Sequence, residues 1–208
     1  MATSTSRWKS ETKNGQFKTC RVTRLTDGIS IPQVVNDTAW RLLSTPGYCY
    51  YANNIDATER EKWGLLYNWA AIATGKLAPS GWHVPSDSDW SVLENFLITN
   101  GFNYDGTTNT NRIAKALAVK EDWQAMPNAG AIGNDLGSNN RSGFSAFPSG
   151  FRDAKGVFLY RWNSCLWWSA TESGASQAWD RSLNNSFSSL FRSADNKKVG
   201  ESVRLVKD

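Results

Sequence analysis

Apolar residues recur at helical spacing in one stretch of the chain, and polar residues mark where that stretch begins and ends. Trp90, Leu93 and Leu97 are separated by three and four residues, which places them on one face of a helix. Ser86 is a favourable N-cap, and Asn100, which a glycine follows, ends the pattern. The pattern predicts a helix from Ser86 to Asn100 whose apolar face lies in the core.

Shorter patterns predict the elements that precede this helix. Residues 1–16 are polar and are expected to form a tail or a linker. Short strands are expected at residues 17–25, and an aromatic strand is expected at residues 48–51. Between them, residues 37–43 are typical of a short helix with an acidic N-cap.

The elements after the helix complete the fold class. A second helix is expected at about residues 111–120, where one face would carry Ile113, Ala114, Leu117 and Ala118. Residues 123–143 are rich in Asn, Gly and Ser, which is typical of a long loop, and short strands and turns follow Phe144. The order of strand, helix, helix, loop and antiparallel strands predicts an α+β fold.

Near the end of the chain, two apolar strand-like runs bracket residues 180–195, which are dense in Ser, Asn and Asp and contain two phenylalanines. Alternate side chains of a strand point to opposite faces, so one face should display polar and aromatic groups to a partner. The alternative is an ordinary polar hairpin, because Ser, Asp and Asn are also common in turns. With Trp162 at the rim, the expected contact residues are Asp180, Ser182, Asn185, Ser186, Phe187, Ser189, Phe191, Ser193 and Asp195.

Composition narrows the classes of function. The chain has 208 residues and 11 tryptophans, which favours one domain whose core is built from large rings. Its net charge of +4 comes from scattered basic residues, so a nucleic-acid partner is not expected. No apolar stretch is long enough for membrane insertion, and the N-terminus has no apolar segment typical of a secretory signal.

The cysteines and the single histidine give little support to catalysis or metal binding. Cys20, Cys49 and Cys165 lack the spacing of a zinc site and are expected to be buried thiols, although one disulfide with one free thiol is the alternative. His83 lies in a turn before the predicted helix and is expected to form a structural hydrogen bond there, with Trp82 buried against Trp90.

Four ordered motifs carry a family resemblance. The motifs occupy residues 63–71, 75–90, 143–152 and 167–172, and shorter matches lie at residues 31–33 and 45–50. Together they resemble the Fibrobacter succinogenes major paralogous domain family. The resemblance covers about residue 17 to the end, which implies one domain at residues 17–208. It also implies a C-type-lectin-like fold with an antiparallel sheet, two helices and long loops.

The chain departs from its relatives in two places. Where family members commonly end in Gly-Phe-Ser-Val-Arg-Cys, residues 200–205 read Gly-Glu-Ser-Val-Arg-Leu, which puts in doubt a disulfide from Cys49 or Cys165 to the last strand. The calcium-dependent sugar-binding signatures of C-type lectins are absent. Residues 162–164 read Trp-Asn-Ser, which differs in its last residue from the Trp-Asn-Asp signature. Neither calcium nor another cofactor is therefore expected.

The same C-terminal segment resembles the variable proteins of diversity-generating retroelements, whose variable positions arise from Asn codons with randomised adenines. Each expected contact residue in 180–195, and Ala194, is reachable from AAC by changes in its first two bases. The interleaved scaffold would be Trp179, Arg181, Leu183, Arg192, Gly200 and Arg204. At least two of Arg152, Arg181, Arg192 and Arg204 are expected to stack on Trp or to pair with an acidic side chain.

The resemblance implies a non-enzymatic module that binds a protein or glycan receptor on a cell surface. It would act on a virion tail or on a bacterial surface, as a single chain or a homo-oligomer. A structural virion or surface-assembly domain is the alternative. An enzyme of the formylglycine-generating type is disfavoured, because such chemistry needs activated, exposed cysteines and Cys165 lies in an apolar run.

Overall fold

The computed structural model describes residues 19–54 and 56–208, and this part of the chain has an α+β fold. The tail expected at residues 1–16 and the first two residues of the short strands expected at 17–25 lie outside the described residues. Residues 19–25 form no strand, and only an isolated bridge joins Arg24 to Ser30, so that expectation was wrong. The α-helices of the described part are α1 (Asp37–Leu42), α2 (Ala57–Trp63), α3 (Trp69–Ala73), α4 (Asp87–Thr99) and α5 (Ala114–Leu117). Two 3₁₀ turns lie at Tyr51–Asn53 and Leu136–Ser138.

The strands of the described part form small antiparallel sheets. The main sheet has the order β6-β7-β8, and the others pair β1 with β2, β3 with β9 and β4 with β5. The bounds are β1 (Tyr48–Cys49), β2 (Leu66–Tyr67), β3 (Trp82–His83), β4 (Phe151–Arg152), β5 (Phe158–Leu159), β6 (Ser164–Glu172), β7 (Gln177–Asn184), β8 (Phe191–Asn196) and β9 (Val206–Lys207).

Helix α4 forms where its local signals predict it. The Ser86 side chain accepts a hydrogen bond from the Asp89 backbone, and the Asp89 side chain accepts one from the Ser86 backbone, so a reciprocal capping box starts the helix. Asn100 caps its end, and Gly101 takes a positive φ of 72° that favours glycine. Trp90, Leu93 and Leu97 are buried, as predicted.

The main sheet separates two hydrophobic clusters. Cys165, Trp167 and Leu183 belong to the cluster that contains Trp90 and, from α5, Ala114 and Leu117. Trp168 and Ala178 belong to a second cluster, which also contains Tyr67, Trp69 and Val203. Since residues of both β6 and β7 contribute to both clusters, these two strands are covered on both faces. Strand β8 is the edge strand and is mostly half-buried or exposed.

Several expectations about individual elements were wrong. Trp82 is only half-buried, and it lies in β3 opposite Lys207 rather than in the cluster around Trp90. The helix expected at 111–120 is a single turn that is buried on every side, because loops cover the face that the sequence pattern leaves polar. The strand expected at 48–51 ends at Cys49, where a 3₁₀ turn follows.

The remaining differences concern helix starts. The N-cap of α1 is Asn36, which accepts a hydrogen bond from the Ala39 backbone, so the acidic Asp37 lies inside the first turn instead. Helices α2 and α3 were not predicted, although the N-cap of α2, Asp56, precedes Glu59 at the spacing of a capping box. Among the described residues, no helix has the length and hydropathy needed to cross a membrane.

The long loop at residues 123–143 is fixed by buried polar side chains. Lys115 of α5 donates to the backbone carbonyls of Ala131, Asn134 and Asp135, so its ammonium group is held inside the loop. Asn139 donates to the carbonyls of Val119 and Ile132 at 3.0 and 3.2 Å. These contacts make the loop a fixed support for the segment that packs against it.

Candidate functional site

The alternation argument assumed that residues 180–195 form one strand, but they do not. They comprise the second half of β7, a turn at residues 185–190 and most of β8. In the register of these strands, Ser182 lies opposite Phe191 and Asp180 lies opposite Ser193. These four residues therefore share one face of the sheet.

The turn at residues 185–190 is held by hydrogen bonds to two distant segments. The backbone NH groups of Gly133 and Ile132 donate to the carbonyls of Asn185 and Phe187 at 2.9 and 3.3 Å. On the other side, the Ser189 hydroxyl donates to the carbonyl of Asn111 at 2.8 Å, and the Asn111 side chain bonds both backbone groups of Leu190. Sequence reasoning did not identify Asn111, because it is far away in the chain and nothing local marks it.

This fixed turn presents an aromatic pair. Phe187 is 52% exposed, and its ring packs edge-to-face against that of the half-buried Phe191, with centroids 5.2 Å apart. Trp162 is also exposed, with a φ of 72° that is rare for a bulky side chain. Its backbone carbonyl accepts a hydrogen bond from Gln124, whose own carbonyl accepts one from the Asn185 side chain, so both segments meet the same loop.

Two of the expected contact residues are not on the surface. Asp180 is 1% exposed and Asn185 is 3% exposed, so neither can touch a macromolecular partner. Asp180 faces the second hydrophobic cluster beneath the sheet, and Asn185 turns inward to donate to the Gln124 carbonyl at 3.1 Å. Alternation assigns residues to faces, but it does not reveal which part of a face another segment covers.

The expected contact residues that remain at least partly exposed, apart from Asp195, are here called the display surface. Within the segment they occupy the end of β7, the turn and β8, and Trp162 stands beside the loop that supports the turn. The display surface consists of Trp162, Ser182, Ser186, Phe187, Ser189, Phe191 and Ser193. Asp195 is half-buried and belongs with Asp180 rather than with this surface.

Asp180, Asp195 and Glu201 form a second feature, here called the acidic cluster. Carboxyl oxygens of the three residues lie within 4.8 Å of one another. Burial raises the pKa of Asp180 to about 7, and the nearby charge of Asp195 adds to the rise. Burial also raises the pKa of Glu201 well above its usual range. Sequence reasoning missed Glu201, which reaches the cluster from the segment before β9.

The arginines support the sheet instead of facing a ligand. Arg181 and Arg192 both bond Asp87 at the start of α4, with N–O distances of 2.7 and 2.9 Å. Arg192 also stacks on Trp179, and Arg152 pairs with Asp37 and stacks on Trp40. The expectation that at least two of the four arginines are partnered in this way is confirmed. Arg204 lies over Phe144 and donates to the carbonyls of Phe144 and Ser145.

The cysteines and the histidine have structural surroundings. All three cysteines lie in the described part, where they are free and buried, as expected. Burial raises the pKa of Cys49 to about 12 and that of Cys165 well above its usual range, which disfavours the reactive thiolate. The ring nitrogens of His83 contact the carboxylates of Asp208 and Asp89 at 2.5 and 3.2 Å, so the expected structural hydrogen bond is confirmed.

A cleft of about 760 Å³ lies on the Trp162 side of the display surface. Lys62, Lys120 and Phe147 contribute to its wall. Trp63 connects the two, because its ring packs edge-to-face against Trp162 at 4.9 Å and against Phe147 at 5.8 Å. A ligand larger than the Phe187 turn could therefore extend along these rings toward the cleft.

Comparison with known proteins identifies the family. Neither the curated proteins nor the solved structures contain a significant match to the chain, so the likeness to C-type lectins stays a prediction. The model of the Fibrobacter succinogenes major domain matches residues 17–207, which is nearly the whole chain. The chain therefore belongs to the Fibrobacter succinogenes major domain family.

Proposed function

We propose that this domain is a non-enzymatic binding module that attaches to a protein or glycan receptor on a cell surface through the display surface. The observation that carries the proposal is the exposed Phe187, packed against Phe191 among small hydroxyl side chains. Exposed aromatic rings among serines give a large contact area at low entropic cost, as in antibody binding loops.

The rigidity of the turn supports the same proposal. Its carbonyls at Asn185, Phe187 and Ser188 accept hydrogen bonds from the backbone of Gly133, Ile132 and Ala114. A surface that is ordered before binding loses less conformational entropy when a partner arrives. Because these three contacts use backbone atoms only, an exposed side chain such as Phe187 can change while the backbone stays in place.

This separation of backbone and side chains favours a diversified surface. Ser182, Ser186, Phe187, Ser189, Phe191 and Ser193 are all reachable from the codon AAC by changes in its first two bases. They alternate with the buried Arg181, Leu183 and Leu190. We infer a variable protein of a diversity-generating retroelement, located on a phage tail or a bacterial surface. A near-copy of the 3′ end of the gene that differs only at adenines, beside a reverse transcriptase gene, would support this inference.

Two other functions make different predictions. In a structural virion or surface-assembly domain, the display surface would pack against a second copy or a neighbouring subunit, so a Phe187→Ser change would alter the oligomeric state. An enzyme of the formylglycine-generating type needs activated cysteines, and the buried thiols with raised pKa values offer no support for that chemistry.

Whole-cell binding tests the proposal. Fluorescently labelled protein is applied to a panel of bacterial cells and to a glycan array, and saturable binding to at least one of them is expected. The double variant Phe187→Ser/Phe191→Ser should bind at least about tenfold more weakly, because aromatic anchors dominate binding energy. The matched control is Val92→Ser, which removes an equally exposed apolar side chain from α4.

Each outcome of this experiment is informative. Loss of binding in the double variant with full binding in the Val92 control supports the display surface. Equal binding by all three proteins would place the contact elsewhere and reject it. A wild-type protein that binds nothing in either panel but forms oligomers through Phe187 would favour the assembly function.

A further inference from the structure

The acidic cluster gathers three carboxyl groups in a place where no described side chain forms an ion pair with them. Neither oxygen of Asp180 nor either oxygen of Glu201 receives a hydrogen bond from the described residues. No lysine, arginine or histidine in the described residues forms an ion pair with Asp180, Asp195 or Glu201. Both unpartnered side chains are almost fully buried, with exposures of 1% for Asp180 and 0% for Glu201.

Such an arrangement is unfavourable unless something else satisfies it. Burial of a carboxylate without partners is unfavourable, and three carboxylates within 4.8 Å of one another also repel each other. Arg181 and Arg192 attract the Asp180 carboxylate only through space, because they lie on the opposite face of the sheet, where they bond Asp87. The four oxygens of Asp180 and Glu201, which receive no hydrogen bond, point to a ligand of positive charge.

We propose that Asp180, Asp195 and Glu201 form a binding site for one divalent cation, and that Ca²⁺ is the ion that fits best. Ca²⁺ binds oxygen ligands at about 2.3–2.6 Å, so oxygens on opposite sides of the ion lie about 4.6–5.2 Å apart. The oxygens of the cluster all lie within 4.8 Å of one another, so one ion of this size can reach all three residues. Mg²⁺ demands a near-ideal octahedron and usually keeps several waters, which the nearly complete burial of Asp180 and Glu201 disfavours.

The position of the site gives the ion a structural role. Asp180 belongs to β7, Asp195 belongs to the edge strand β8, and Glu201 is held by backbone hydrogen bonds of 2.8 and 3.0 Å to Tyr67 of β2. A bound cation would join the edge strand to the body of the domain. This proposal stands apart from the proposed receptor binding, because none of its three residues belongs to the display surface.

The sequence expectation that the chain binds no calcium rested on the missing sugar-binding signatures of C-type lectins. Those signatures use a different set of residues. Asp180, Asp195 and Glu201 are separated by 15 and 6 positions in the sequence, and only the pairing of β7 with β8 and the contact with β2 bring them together. The cluster is therefore a site of its own, independent of that motif.

Metal binding can be tested on the full chain with Tb³⁺, which replaces Ca²⁺ in oxygen sites and luminesces when a nearby tryptophan is excited. Trp168 pairs with Asp180 in the sheet and is suited to sensitise an ion at the cluster. We expect saturable luminescence at one Tb³⁺ per chain that Ca²⁺ reverses. We also expect Ca²⁺ at about 100 times its Kd to raise the Tm by about 5–10 °C over protein in EDTA.

Charge-removing variants decide whether the ion binds at this cluster. In Asp180→Asn/Glu201→Gln, the luminescence and the rise in Tm should both disappear, while the protein in EDTA should melt no lower than wild type, because repulsion is removed. Glu121→Gln, at an exposed carboxylate elsewhere, is the control and should behave as wild type. If the double variant does not fold, the half-buried Asp195→Asn takes its place, with at least tenfold weaker Tb³⁺ binding expected.

The proposal is overturned by either of two results. In the first, the Tm of wild type is the same in Ca²⁺ and in EDTA and no saturable luminescence is found, which would mean that the cluster carries protons instead of an ion. In the second, the variants keep the wild-type luminescence and Tm response, which would place the ion elsewhere. Neither result bears on receptor binding, which is measured separately with the Phe187 variants.

Discussion

Strands β7 and β8 are neighbours in one sheet, yet they differ in what they expose. In β7, the residues Asp180, Arg181 and Leu183 are all buried, whereas β8 has no fully buried residue. The difference follows from their positions, because β7 lies between two strands and β8 lies at the edge. A segment with one uniform polar composition therefore contains both a scaffold strand and a display strand.

Arg181 and Arg192 make this contrast measurable. They lie directly opposite each other in β7 and β8, and both bond Asp87. The side chain of Arg181 is fully buried, while that of Arg192 is 42% exposed. Changes at these positions compare the two strands with the partner carboxylate held constant.

The largest effect is expected for Asp87→Ala, which leaves the buried guanidinium of Arg181 without its counter-charge. Removing one partner of a buried ion pair typically costs about 3–5 kcal/mol of unfolding free energy. Urea unfolding of the variant and of wild type measures this difference. A loss below about 1 kcal/mol would show that Arg181 does not depend on Asp87, and that the buried pair is not what secures β7.

The next effect separates the two arginines. Arg181→Ala removes a long buried side chain and should cost about 3 kcal/mol, as for other large buried side chains. Arg192→Ala removes an exposed ion pair and should cost less than about 1 kcal/mol, even with its stacking on Trp179. The same unfolding measurement tests both variants. Equal losses would contradict the assignment of β7 as scaffold and β8 as display strand.

A smaller effect is expected from acid. Hydrogen bonds from Arg192 and Arg181 lower the pKa of Asp87 below its usual range. Because the carboxylate is favoured more in the folded than in the unfolded protein, its contribution to stability is complete above about pH 4 and is lost as the pH falls through the lowered pKa. Thermal melting between pH 2 and 5 should show a steeper loss of stability in wild type than in Asp87→Asn.

The features that could be predicted from the sequence are those formed by residues close together in the chain. The limits of α4 follow from Ser86, Asp89 and Asn100, all within the helix or next to it. The family could be predicted because its motifs are local runs of residues. Helix α2 could also have been found from Asp56 and Glu59.

The features that could not be predicted depend on contacts between distant segments. Alternation assigns the residues of β7 to two faces. Whether Asp180 is buried, however, depends on the segment at residues 199–203 and on β2, which pack on its face. The pattern at residues 111–120 predicted a helix with one polar face. Helix α5 is instead a single turn that is buried on all sides, and the loop at residues 123–143 surrounds its Lys115. The acidic cluster combines three segments, and no local motif joins them.

The most direct test of the account is single-site saturation mutagenesis of residues 180–195 on the surface of yeast, sorted for resistance to protease. We expect Ser186, Phe187, Phe191 and Ser193 to accept most residues, because surface changes usually shift stability by about ±0.5 kcal/mol. Arg181, Leu183, Asn185 and Leu190 should reject most residues. If Phe187 and Phe191 prove as intolerant as Leu183, these rings are core, and the display surface does not exist.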